Sequence, residues 1–150
     1  MKLLIALYFF ILAIIQMGLF FGINHYYRSK NSVKPSRHWM SSLLISVLGL
    51  IIFGAGIIVI DDILKPEFNF TVANTLFFVA AVLQALFCKS LNHPISRFMK
   101  ISFSISIIIF AIIFEWMRNA GSYEVRTAFM CILASFLHMA NFRDLSKEGE

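Results

Sequence analysis

Apolar residues gather in five runs along the chain, about 3–23, 39–60, 70–87, 101–117 and 127–142, with short polar strings between them. A helix needs ~20 apolar residues to cross a ~30 Å hydrocarbon core, with ~17 as the lower limit. The fourth run approaches that limit when Glu115, Trp116 and Met117 are counted at the interface. Ile and Phe also favour strands, but an open sheet in lipid would leave backbone groups unpaired at several kcal/mol each. The alternation of a membrane barrel is missing as well. The expected fold is therefore an all-α membrane protein, a bundle of five transmembrane helices forming a single domain over 1–150.

The punctuation between runs supports this division. The first run starts after Lys2 and ends at Asn24-His25-Tyr26-Tyr27-Arg28. A signal peptide would have a shorter apolar core, ~7–15 residues, and a small-residue cleavage site. Neither is found here, so a retained helix is expected. Trp39 opens the second run at a position suited to the headgroup layer, and Asp61-Asp62 closes it. Pro66 marks a turn before the third run, and Asn92-His93-Pro94 marks another before the fourth.

Loop charges alternate. The first loop carries Arg28, Lys30, Lys34 and Arg37 and the third Lys89, Arg97 and Lys100, neither with an acid. The second sets Lys65 against Asp61, Asp62 and Glu67, and the fourth balances Glu115 and Glu124 with Arg118 and Arg126. Basic loops stay cytoplasmic, so the N-terminus is expected outside and the C-terminus in the cytoplasm. That geometry is expected of a multi-pass membrane protein.

Composition agrees: 59% of residues are hydrophobic, 14% are charged and mean hydropathy is +0.81. Soluble domains hold only ~45–50% apolar residues. The 17 Phe residues are expected on lipid-facing surfaces, where large apolar groups are exposed without penalty. The net charge of +5 raises the question of nucleic acid, but no basic face of any size is available. Membrane lipids are the expected partners and nucleic acid is not. Cys88 and Cys131 belong to no metal-ligand or CxxC spacing and read as small hydrophobes.

Chemistry is sought first among polar residues inside the runs: Gln16, Asn74, Gln84, Ser104, Ser106, His138 and Asn141. None is a carboxylate or fixed cation near a helix centre, which disfavours an ion-coupled pump. Asn74 and Gln84 are expected to hydrogen-bond between helices, and His138 either does the same or titrates as a sensor. Glu115, Arg118, Glu124 and Arg126 are expected to cluster at the outer interface, as a structural clip before a ligand mouth. Gly18 and Gly22 form a GxxxG pattern, and Gly49, Gly54 and Gly56 put small residues along the second run; such positions let helices approach closely, and the GxxxG is read first as packing inside the bundle and second as a homodimer seam. No phosphate loop, metal set or nucleophile elbow is found, and Asp61-Asp62 diverge too much to act as an acid/base pair. No enzyme activity and no cofactor are expected.

Several stretches carry a family likeness: the basic loop leading to His38-Trp39-Met40-Ser41, the helix of Gly49, Thr71-Val72-Ala73-Asn74-Thr75-Leu76, then Phe87, Arg97-Phe98 and Arg126. In this order the chain resembles the N-terminal multi-helix membrane sensor region of bacterial diguanylate cyclases, which precedes their cytoplasmic GGDEF domain. The GGDEF motif itself is missing, so the resemblance carries over no cyclase activity. It implies a sensory module, isolated or stand-alone, that passes a signal to a cytoplasmic output domain or partner in cyclic di-GMP signalling. Asn74 and Arg126 are the positions the resemblance singles out. The alternatives are a small oligomeric transporter or channel, or an accessory subunit of a larger membrane complex.

Overall fold

The computed structural model describes residues 1–29, 36–60, 67–92 and 94–146. Among them the chain forms α1 (Lys2–Ser29), α2 (Arg37–Val59), α3 (Phe68–Asn92), α4 (Arg97–Ala120) and α5 (Tyr123–Ser146), and no strand. The first four are long and apolar enough to cross a membrane. Their outward faces confirm the solvent they need: Ile108 is 60% exposed, Ile112 65% and Trp116 69%. Continuous apolar surface of this kind is not tolerated in water. The chain is a membrane-embedded helical bundle.

Most of the helices outrun the apolar stretches that announce them. At 1.5 Å per residue the 28 residues of α1 reach about 42 Å, beyond a ~30 Å hydrocarbon core. Polar strings such as Asn24-His25-Tyr26-Tyr27-Arg28 therefore continue the helix into the headgroup layer instead of ending it. The fourth helix starts four residues earlier than expected. Arg97 to Lys100, expected in a loop, form its first turn, because Ser96 caps it by accepting the Met99 N–H at 3.2 Å. At the other end α2 stops one residue early, with Ile60 in extended backbone. The Lys2 ammonium donates to the Ile60 carbonyl at 2.6 Å, where a cation suits a helix C-terminus.

α3 sits between two halves. One side packs on α2, which carries α1, and the other on α4 and α5; among the described residues α1 and α5 do not pack on each other. Two stripes on α3 explain this. Phe70 and Phe77 face α1 and α2, among Ala6, Phe53 and Leu50. Phe78, Val82 and Leu86, at i, i+4 and i+8, face Phe110 and Phe114 of α4 and Phe129 of α5. The Phe110 ring stacks on Phe78 at 4.4 Å and on Phe129 at 6.0 Å.

The phenylalanines thus divide: Phe21, Phe68, Phe98 and Phe136 are exposed as expected, but others are not. Phe70, Phe78, Phe110 and Phe114 are buried, whereas Ile101, Ile105, Ile108, Ile109 and Ile112 hold the exposed face of α4. With no water outside, burial gains little from hydrophobicity, and flat rings that stack fill the interior better than branched aliphatics.

α4 and α5 are joined by Gly121-Ser122 alone, yet they touch less than any other packed pair. The turn needs glycine for space. A Cβ at Gly121 would lie 2.7 Å from the Met117 carbonyl oxygen, which accepts the Gly121 N–H at 2.8 Å.

Candidate functional site

Up-and-down order brings the start of α1, the end of α2, the start of α3, the end of α4 and the start of α5 to one end of the bundle. A polar node is built there around the Glu115 carboxylate. Oε2 accepts from the Thr71 hydroxyl at 2.7 Å and from Arg118 Nε at 2.9 Å. Oε1 accepts from Arg118 Nη2 at 2.5 Å and from Asn119 Nδ2 at 3.2 Å. Arg118 and Asn119 meet the carboxylate because positions three and four along lie on one helix face. The guanidinium grips both oxygens, the strongest form of this pair. Thr71, only 5% exposed, comes from α3 and so ties α3 to α4.

α5 joins through Arg126, which is 7% exposed. Its Nη1 donates to the Arg118 carbonyl at 3.3 Å. The last four carbonyls of a helix lack partners within it, and the dipole makes that end negative. Arg126 thus takes up one such carbonyl near the end of α4, with a cation where a cation is favoured.

Two clefts flank the node. A groove of about 500 Å³ runs between α3 and α4, with Thr71, Thr75, Ile112 and Glu115 in its wall. A second cavity of about 380 Å³ occupies the gap between α1 and α5. Ile5 and Phe9 stand on one side of it, Thr127, Met130 and Cys131 on the other, and Phe70, Asn74 and Arg126 also line it. Most of its wall is apolar, with a few polar groups at one end, as ligand sites commonly are.

Other residues singled out by sequence have different surroundings. Among the described residues Asn74 does not bond between helices: its amide donates to the Phe70 carbonyl one turn back at 2.7 Å. Gln84 is half-buried and makes no hydrogen bond among the described residues. Ser104 and Ser106 donate to Lys100 and Phe103 carbonyls of their own helix. Short polar side chains in lipid satisfy themselves locally when a carbonyl one turn back is in reach. The side chains of His138 and Asn141, and residues Asp61 and Asp62, lie outside the described residues. Cys88 is buried and Cys131 exposed, and neither is in a disulfide.

Gly18 and Gly22 correct the reading of the GxxxG pattern as packing inside the bundle, since a Cβ at either would meet nothing within 4 Å. The spacing puts both on one face without saying which way it points. Close approach occurs on α2 instead. A Cβ at Gly49 would lie 3.0 Å from the Phe77 ring, one at Gly54 3.3 Å from Phe9 Cβ, and one at Gly56 would overlap the Asn69 amide.

Thr71 and Asn119 belong to the node although neither stands out in sequence. Asn119 was within reach of a spacing argument, four residues after Glu115. Thr71 gave no comparable signal, because its partner is 44 residues away. Among the described residues no three His, Cys, Asp or Glu side chains come together as a metal ion would require. No known family, curated protein or solved structure matches the chain.

Proposed function

We propose that the chain is the signal-input part of a bacterial membrane signalling system, with no catalysis of its own. In this reading α5 crosses the membrane with the other four helices, the N-terminus is outside, and the polar node faces the outer leaflet of the inner membrane. The C-terminus then lies in the cytoplasm, where it drives an output domain or partner protein. The basic loops at the opposite end of the bundle support that orientation.

The observation that carries the proposal is the way α5 is held. It packs on α3 but only lightly on α4, and Arg126 at its outer end fastens it to the Arg118 carbonyl beside an open cavity. A signal acts only if it binds two arrangements of the bundle with different affinity. Here the second arrangement is a small displacement of α5, and α5 leads to the cytoplasmic end. The open face at Gly18 and Gly22 supports a second copy as a further partner, since exposed glycines let helices approach closely.

The test is a fusion of residues 1–150 to a GGDEF domain, with cyclic di-GMP measured in cells across growth conditions. Arg126→Ala and Thr71→Val are expected to shift output relative to the parent fusion. Identical output from parent and both variants under every condition refutes the proposal.

A further inference from the structure

We propose that the gap between α1 and α5 binds a neutral, lipid-soluble alcohol, a single hydroxyl on a long apolar body, taken up sideways from the bilayer. This names the ligand class of the input site; it rests on the signalling reading for its consequence and not for binding itself.

The shape admits one slim molecule. Among the described residues α1 and α5 do not pack on each other, so the groove has a helix on either side and side chains of α2, α3 and α4 as its floor. Its volume of about 380 Å³ is near the low end of the ~300–1,000 Å³ typical of ligand pockets. That is room for one chain or ring and too little for a two-chain phospholipid. The Phe53 ring stands at 89° to Phe70 with centroids 4.9 Å apart, and 4.7 Å from Phe9. Rings paired in this way make a firm apolar floor.

Polar groups decide the head. Arg126, Thr127 and Asn74 line the groove as well. Arg126 is engaged: it donates to the Arg118 carbonyl, lies in the field of Glu124 and, like Thr127, has further partners. Glu115 in turn is paired with Arg118. Charge at this end of the bundle is thus matched, and nothing there calls for a charged ligand.

Asn74 differs. Its amide nitrogen donates to the Phe70 carbonyl, while its oxygen accepts no hydrogen bond among the described residues. An amide oxygen only accepts, so it selects a donor. Asn74 also lies three residues further along α3 than Thr71 of the node, about 4.5 Å deeper at 1.5 Å per residue. A charged head is far costlier to bring to that depth than a hydroxyl that finds an acceptor. Neutral head, one donor and slim apolar body together describe a lipid-soluble alcohol, either a fatty alcohol or a long-chain phenol.

Occupancy reaches α5 directly. The ligand touches Ile5 and Phe9 of α1 and Met130 and Cys131 of α5, and so supplies a contact that these two helices lack. Because α5 packs only lightly on α4, that contact favours one setting of α5 over another.

The experiment uses the full chain in phosphatidylcholine nanodiscs and a hexadecanol carrying a photoreactive diazirine, with crosslinked peptides mapped by mass spectrometry. Crosslinks are expected in α5 around 127–131 and in α1 around 5–9. Unlabelled hexadecanol should compete about fivefold better than its methyl ether, which keeps the chain and the oxygen but donates nothing. Palmitate at alkaline pH, where it is an anion, should compete less well than hexadecanol. Asn74→Leu, close in size and outside the node, is expected to erase the difference between alcohol and ether. Cys131→Trp, from an exposed position, should fill the groove and cut crosslinking about fivefold or more. Should Asn74→Leu lose its helical circular dichroism, the difference between alcohol and ether in the parent and the effect of Cys131→Trp still decide. Pentadecylphenol as a further competitor names the source: stronger competition than hexadecanol assigns a phenol and weaker a fatty alcohol, both within the class.

Equal competition by the methyl ether overturns the hydroxyl assignment. Palmitate anion competing as well as hexadecanol overturns the neutral head. Diffuse crosslinking over all helices, or crosslinking that Cys131→Trp leaves unchanged, means that ordinary lipid chains fill the gap and overturns the site. Added hexadecanol in the GGDEF fusion separates the two readings: groove crosslinking with unchanged cyclic di-GMP leaves this site standing and sinks signalling, and altered output without groove crosslinking does the reverse.

Discussion

Thr71 and Glu115 offer the sharpest probe of the node, since one hydrogen bond of 2.7 Å links α3 to α4 there. Thr71→Val keeps the shape and removes the hydroxyl. Glu115→Leu removes the carboxylate and all four bonds it accepts. Hydrogen bonds to charged groups are worth ~1.5–3 kcal/mol in soluble proteins, but side-chain bonds between membrane helices average ~0.6 and reach ~1.7. Glu115 is 32% exposed at its side chain, and that hydration weakens the bond. Thr71, by contrast, is desolvated. A coupling of about 1 kcal/mol follows, a factor of about five in the folding constant. The double-mutant cycle measures it directly, through reversible unfolding in mixed micelles of mild detergent and dodecyl sulfate. Trp39 against the Phe87 ring at 6.3 Å provides a fluorescence reading of α2 on α3. Additive single effects, with coupling below about 0.3 kcal/mol, would show that the node does not fasten α3 to α4.

Three further outcomes are expected. Gly54→Ala should destabilise the bundle by about 1 kcal/mol, because the added methyl presses on Phe9 Cβ and the Ala6 carbonyl, which cannot turn aside, whereas Gly18→Ala should stay within about 0.5 kcal/mol of the parent in the same micelle assay. Equal effects would mean that α2 does not lie this close to α1. Phe110→Ala, at a ring 3% exposed and stacked on Phe78 and Phe129, should cost about 3 kcal/mol, and Ile108→Ala on the lipid face should cost under about 1. For topology, alkaline phosphatase inserted within 61–66 should be active and a fusion after Glu150 inactive; the opposite pair of results inverts the orientation.

How much of this the chain discloses beforehand depends on the contrast each residue has with its surroundings. Contrast between apolar run and polar string is strong, so the helices are legible to within a few residues at most ends. Inside the runs it vanishes. Lipid is as apolar as the interior, and nothing in the pattern around Phe110 and Ile108 says which of the two faces inward. Asn74 illustrates a second limit: a polar residue in lipid has to find a partner, and sequence does not reveal whether that partner is another helix or the Phe70 carbonyl one turn back. Glu115 with Arg118 is readable because the pair lies within one turn. Its bond to Thr71 depends on how two helices are set against each other, which local spacing does not encode.

The arrangement of neighbours has a consequence for biosynthesis. α1 leans on α2, α2 on α3, and α4 and α5 both on α3, so no helix waits for one made much later before it finds a partner. Each span released by the insertion machinery can dock on one already seated, and contacts between near neighbours in the chain form quickly. The groove between α1 and α5 brings the first and fifth helices face to face, and it is closed from two sides only once α5 has been made.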